Sequence, residues 1–150
     1  MQYTRISLKS FIPKPYDFAP KTLGEHVLKR RLFLKLPQPQ LAKLLGVAVE
    51  TVLNWELDYK KPSINHIGKL IQFLGYDPEL PNPSSIAELL LAKRRKLGWA
   101  QKVAALNLGV DPCTWSDWEC GGTIMIHEHR QLVASFLDIA KEIVNKEIRR

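Results

Sequence analysis

Fifty-three residues, Thr22–Leu74, recur without a gap sixty-three positions later as Ser85–Leu137. A chain with that internal repeat is expected to fold as two similar units, because each copy of such a repeat is one structural module. The alignment superimposes Glu25/Glu88, Leu28/Leu91, Arg31/Arg94, Leu34/Leu97, Gln38/Gln101, Ala42/Ala105, Leu45/Leu108, Gly46/Gly109, Val47/Val110, Thr51/Thr114, Trp55/Trp118, Glu56/Glu119 and Phe73/Phe136. Each copy is near the lower size at which a helical domain folds alone, so the two are expected to lean on each other.

Local signals place four helices in each copy. Thr22-x-x-Glu25 and Ser85-x-x-Glu88 are capping boxes that start the first helix. A second helix is expected from Gln38 (Gln101) to a tight turn at Gly46 (Gly109), and a third from Val49 (Pro112) to about Glu56 (Glu119). Asp111 is the expected N-cap of the third helix in the second copy, with Pro112 at its first position. The fourth helix is expected over Ile64–Leu74 in the first copy, and from about Ile126 towards Ile148 in the second. The domain organisation read from this is an extended basic arm over 1–20, a first domain over 21–77, a stiff proline-rich spacer over 78–84, and a second domain over 85–150 with a long C-terminal helix.

The stretch from Leu36 to Glu56 and the stretch from Trp99 to Glu119 share Gln-x₃-Ala-x₂-Leu-Gly-Val-x₃-Thr-x₃-Trp-Glu. This motif resembles the Cro/C1-type (XRE) helix-turn-helix proteins, and the resemblance covers both copies. It implies an all-α fold of two tandem phage-repressor-like domains, in which helix 3 enters the major groove and the start of helix 2 meets a phosphate. It further implies structural ion pairs between Arg31 and Glu56 and between Arg94 and Glu119.

Carried onto this chain, the resemblance makes Gln38 and Gln101 the phosphate-facing residues. The groove-facing positions become Val49, Glu50, Leu53 and Asn54 in the first copy, with Thr51 beside them, and Pro112, Cys113, Ser116 and Asp117 in the second, with Thr114. Asn suits adenine, Glu or Asp can accept from the cytosine amino group, and apolar side chains can cover thymine methyls. Lys60 and Lys61 should grip the flanking backbone, whereas the corresponding positions of the second copy are Thr123 and Ile124. One departure from the family pattern is that helix 2 begins at Pro37 or Ala100, where a Ser or Thr cap is usual. Trp55 and Trp118 read as core aromatics, and Trp99 and Trp115, which replace Leu36 and Val52, imply a second core repacked around larger rings.

A formal charge of +7 favours a polyanionic partner, and residues 1–79 hold most of it, with 12 Lys/Arg against 7 Asp/Glu. No apolar run approaches a membrane span or a secretory signal, which makes the cytoplasm the default. Cys113, Cys120, His127 and His129 do not have finger spacing, so no metal is expected. Without a phosphate loop, nucleophile elbow or metalloprotease helix, neither catalysis nor a cofactor is expected. The function expected is sequence-preferring binding of double-stranded DNA, as a transcriptional regulator. A protein-interaction module of the same fold and an accessory subunit of a recombinase or transposase are the rivals, and self-association stays open.

Overall fold

Where a helix stops in this chain is set by single residues with left-handed backbone, and these recur with the repeat. In the computed structural model, which describes residues 17–121, 127–140 and 143–144, eight residues have positive φ. They fall into four pairs sixty-three apart: Lys35/Gly98, Gly46/Gly109, Asp58/Gly121 and Gly75/Asp138. Only one pair is glycine in both copies. In the other three, one copy uses glycine and the other places Lys or Asp in a conformation that L-residues adopt at a cost. The backbone path has been kept while the residue that makes it easy has not.

Among the described residues the helices are α1 (Leu23–Phe33), α2 (Gln38–Leu45), α3 (Val49–Glu56), α4 (Ile64–Leu74), α5 (Ile86–Leu97), α6 (Gln101–Leu108), α7 (Pro112–Cys120) and α8 (His127–Leu137), with helical backbone again at 143–144. The described residues contain no strand, and the fold is all-α. None of these helices is long and apolar enough to cross a membrane. Both capping boxes form: the Thr22 and Ser85 hydroxyls accept from the Glu25 and Glu88 amides. Backbone N–H groups of Ser84 and Ser85 in turn hold the Glu88 carboxyl below its ordinary pKa.

The chain divides into two compact units, one ending at Lys61 and one beginning at Pro62. The first holds α1 to α3. There α1 crosses α3 at Gly24, where a Cβ would fall 1.8 Å from the Trp55 carbonyl oxygen. The second holds α4 to α8, with α5 packed by α4, α7 and α8. At the α4–α5 crossing a Cβ on Gly68 would lie 2.9 Å from the Gly98 amide nitrogen and 2.9 Å from the Lys96 carbonyl oxygen.

This division differs from the boundary read from the prolines at 78–84, since α4 lies in the second unit. The proline-rich stretch is no extended spacer at its start. Leu80 N–H donates to the Asp77 carbonyl at 3.3 Å, closing a turn. The Arg95 guanidinium on α5 then bonds both Asp77 oxygens, at 2.6 and 3.0 Å, and pairs with Glu79 at 2.7 Å. A bidentate Arg–carboxylate contact of this kind fixes the turn against α5.

The long C-terminal helix is also corrected. α8 stops at Leu137, with Asp138 at φ 57 and its N–H donating to the Ser135 carbonyl. Lys93 on α5 holds the Asp138 carboxylate at 2.5 Å and sits over the Phe136 ring. The expected start at Ile126, the residues 145–148 and the arm over 1–16 lie outside the described residues. Of the arm's end, the Phe18 carbonyl accepts from Lys29 of α1 at 2.6 Å.

The two copies bury matching positions: Leu23/Ile86, Val27/Leu90, Leu41/Ala104, Ala42/Ala105, Val52/Trp115, Trp55/Trp118, Leu70/Val133 and Ile71/Ala134. Trp115 is fully buried where the first copy has the smaller Val52. The volume is balanced within the same cluster, because Ala104 and Ala134 stand where the first copy has Leu41 and Ile71. Trp99 stacks on Phe136 at 6.2 Å, and Trp115 meets the same ring edge-on at 5.5 Å.

Candidate nucleic-acid interface

In both copies one carboxylate holds the third helix from behind. Glu56, the last residue of α3, is 5% exposed and receives Arg31 of α1 through Nε at 2.5 Å and Nη2 at 2.8 Å. The third face of the guanidinium donates to the Leu36 carbonyl at 2.9 Å, just ahead of α2. Gln38, the first residue of α2, donates its amide to the same carboxylate at 2.8 Å. One buried charge pair thus joins α1, the α1–α2 turn, α2 and α3.

The second copy repeats the arrangement. Arg94 binds Glu119 at 2.5 and 3.0 Å and the Trp99 carbonyl at 2.8 Å, and Gln101 donates to Glu119 at 2.8 Å. It adds a donor, the Trp115 indole N–H at 2.8 Å from Glu119. Burial pushes the Glu119 carboxyl up, but the bonds from Arg94, Gln101 and Trp115, with the Arg94 charge, outweigh it and hold the pKa below the ordinary value.

Gln38 and Gln101 therefore have an intramolecular partner for the amide nitrogen, a contact absent from the sequence reading. The signal for it was the shared eighteen-residue spacing to Glu56 and Glu119. Neither Pro37 ahead of α2 nor Ala100 ahead of α6 caps its helix with a side chain; in α2 Pro39 has no N–H and the Gln40 N–H donates to the Pro37 carbonyl at 3.0 Å, so its first turn has no more than the Gln38 N–H to offer.

On α3 the structure places Val49, Glu50 and Leu53 in solvent and leaves Thr51 and Asn54 half-buried. Val49 is 41% and Leu53 40% exposed, while Val52 and Trp55 on the opposite side are in the core. Helix α3 ends in a Schellman turn: Asp58 N–H donates to the Trp55 carbonyl and Tyr59 N–H to that of Asn54. Asp58 takes the left-handed position and accepts from the Thr22 hydroxyl at 2.7 Å, tying the start of α1 to the end of α3. Sequence reasoning missed Asp58, although Gly121 at the equivalent position of the repeat marks it. The exposed Lys60 and Lys61 follow directly, with Lys60 N–H donating to the Asn54 carbonyl at 3.3 Å. The turn that holds the lysines is thus built on the end of α3.

On α7 the surroundings are different. Pro112, Cys113 and Asp117 are exposed, and Thr114 and Ser116 half-buried. Asp111 caps the helix by accepting from the Cys113 N–H at 2.8 Å. A hydrogen bond to Asp111, the charge of Asp111, burial and the charge of Asp117 all push the Cys113 thiol up. Helix α3, starting after Ala48, has no side-chain cap.

Residues 28–80, from within α1 to just beyond α4, match the family model described as Helix-turn-helix, of the Cro/C1-like kind and DNA-binding in character. That match covers the first copy from residue 28 onward and does not extend to the second. Neither a curated protein nor a solved structure matches the chain.

Proposed function

We propose that this protein is a sequence-preferring double-stranded DNA-binding protein, a transcriptional regulator that reads the major groove with α3. The observation that supports this most is the exposed row Val49, Glu50 and Leu53 beside Asn54, on a helix locked from behind by Arg31, Glu56 and Gln38 and followed at once by Lys60 and Lys61. In this reading Asn54 forms a bidentate pair with adenine N6 and N7, Glu50 accepts from cytosine N4, and Val49 and Leu53 cover thymine methyls. The Gln38 N–H at the start of α2 and the two lysines meet phosphates on either side.

Selection from random duplex DNA at moderate salt tests the reading. A motif should be enriched, and Asn54→Ala should weaken binding to it by about 1–3 kcal/mol while leaving non-specific binding nearly unchanged. Absence of any enriched motif would refute it. A protein-interaction role draws support from the exposure of Leu53, Leu57 and Tyr59 at the end of α3, the last at 74%. It predicts that Asn54→Ala leaves DNA affinity untouched.

A further inference from the structure

The four lysines of residues 35–61, set against three carboxylates, become one lysine against three in the equivalent residues 98–124. Lys35 is replaced by Gly98, the exposed Lys43 by Leu106, which is 80% exposed, and Lys60 and Lys61 by Thr123 and Ile124. The carboxylates are equal in number but differently placed. In the first copy Glu56 is buried against Arg31, Asp58 is bonded to the Thr22 hydroxyl, and Glu50 stands on the reading face. In the second, Glu119 is held by Arg94, while Asp111 and Asp117 are both exposed, one at the start of α7 and one along it.

A recognition helix brings its first turns between two rows of phosphates, so its N-terminus must tolerate anions close by. On α7 that terminus already holds its own anion: the Asp111 carboxylate occupies the Cys113 N–H, and Pro112 has no N–H to offer. Asp117, at the position of Asn54, offers only acceptors when ionised, and adenine needs a donor and an acceptor together. Asp117 could accept only from an amino group, cytosine N4 or, through a single bond, adenine N6, with no lysine at the end of the helix to offset the phosphates.

We infer that the chain reads DNA with α3 alone, and that α7, though it has the same fold, is closed to the groove by Asp111 and Asp117. The inference rests on the DNA-binding reading of α3. Its consequence is a target made of one kind of core sequence. Where two cores occur they are copies of each other, one for each of two protein chains, and never the two unlike halves that a covalent pseudo-dimer with two readers would need.

The experiment is the same duplex selection, repeated with full-length parent, Asn54→Ala and the α7 triple variant Cys113→Ala, Ser116→Ala, Asp117→Ala, with thermal melting to show that each is folded. A single core, or two identical cores, is expected. The α7 variant should keep the motif and an affinity within about twofold, while Asn54→Ala loses about tenfold. Two unlike cores, or loss of one core in the α7 variant, would overturn the inference while leaving α3 as a reader. Loss of no core in either variant, or no core in the parent, would remove the DNA-binding reading of α3 and the inference with it.

Discussion

Replacing Arg31 with Ala takes the guanidinium from a carboxylate that has almost no access to water. The Glu56 side chain is 2% exposed, and of its three side-chain bonds two come from Arg31, leaving the Gln38 amide at 2.8 Å. The Leu36 carbonyl loses its Arg31 donor at the same time. Breaking a buried pair from one side costs about 3–5 kcal/mol, because the remaining charge is stranded, whereas an exposed pair would cost below about 1 kcal/mol.

Arg94→Ala should cost less. Glu119 would keep two donors, Gln101 and the Trp115 indole, and each hydrogen bond to a charged group is worth about 1.5–3 kcal/mol. Urea unfolding followed by circular dichroism gives the totals, and hydrogen exchange read by mass spectrometry assigns them to α1–α3 or to α5–α8. Adding Glu56→Gln to Arg31→Ala should recover part of the loss, since a neutral amide has no charge to strand. A loss of less than about 1 kcal/mol for Arg31→Ala, or a larger loss for Arg94→Ala, would refute a stranded charge at Glu56.

Three further outcomes follow from the same geometry. The Glu119 pKa is lowered in the fold, so its stabilisation is present in full above the ordinary value of 4.5 and is lost as pH falls through the folded value. The stability gap between parent and Glu119→Gln should therefore be widest near neutrality and close below 4.5, and a gap constant with pH would contradict the assignment. Gly68→Ala should loosen the α4–α5 crossing, because its Cβ would lie 2.9 Å from backbone atoms of α5 and the turn after it, and hydrogen exchange in α4 should rise. Lys35→Gly, at φ 53, should raise the urea midpoint by the equivalent of about 0.5–1 kcal/mol, since glycine accepts the left-handed conformation without strain.

Much of the local structure was legible in the sequence because it is decided by neighbours a few residues apart. The capping boxes, the Asp111 cap, the turn at Gly46 and the extent of α2 all depend on groups within one helical turn. What escaped depends on pairs that local spacing does not mark. The end of α8 was missed because Asp138 does not look like a stop; its equivalence to Gly75 was the clue, and the distant Lys93 holds it. The prolines at 78–84 suggested a spacer, and Arg95, eighteen residues beyond Asp77, folds the start of that stretch onto α5. At the candidate interface, the loss of Lys60 and Lys61 to Thr123 and Ile124 and the Asp111 cap were legible in the repeat, whereas the bond from the Thr22 hydroxyl to Asp58, thirty-six residues away, was not.

The seating of α4 on α5 means that the stretch that repeats in the sequence and the unit that folds are out of step. Helix α5 carries the fourth helix of both copies, but the two are not interchangeable: where α4 offers Gly68 to the Gly98 backbone, α8 has the exposed Gln131. Genetic exchange of one copy for the other would therefore bring a long polar side chain to a crossing that has no room for a methyl group.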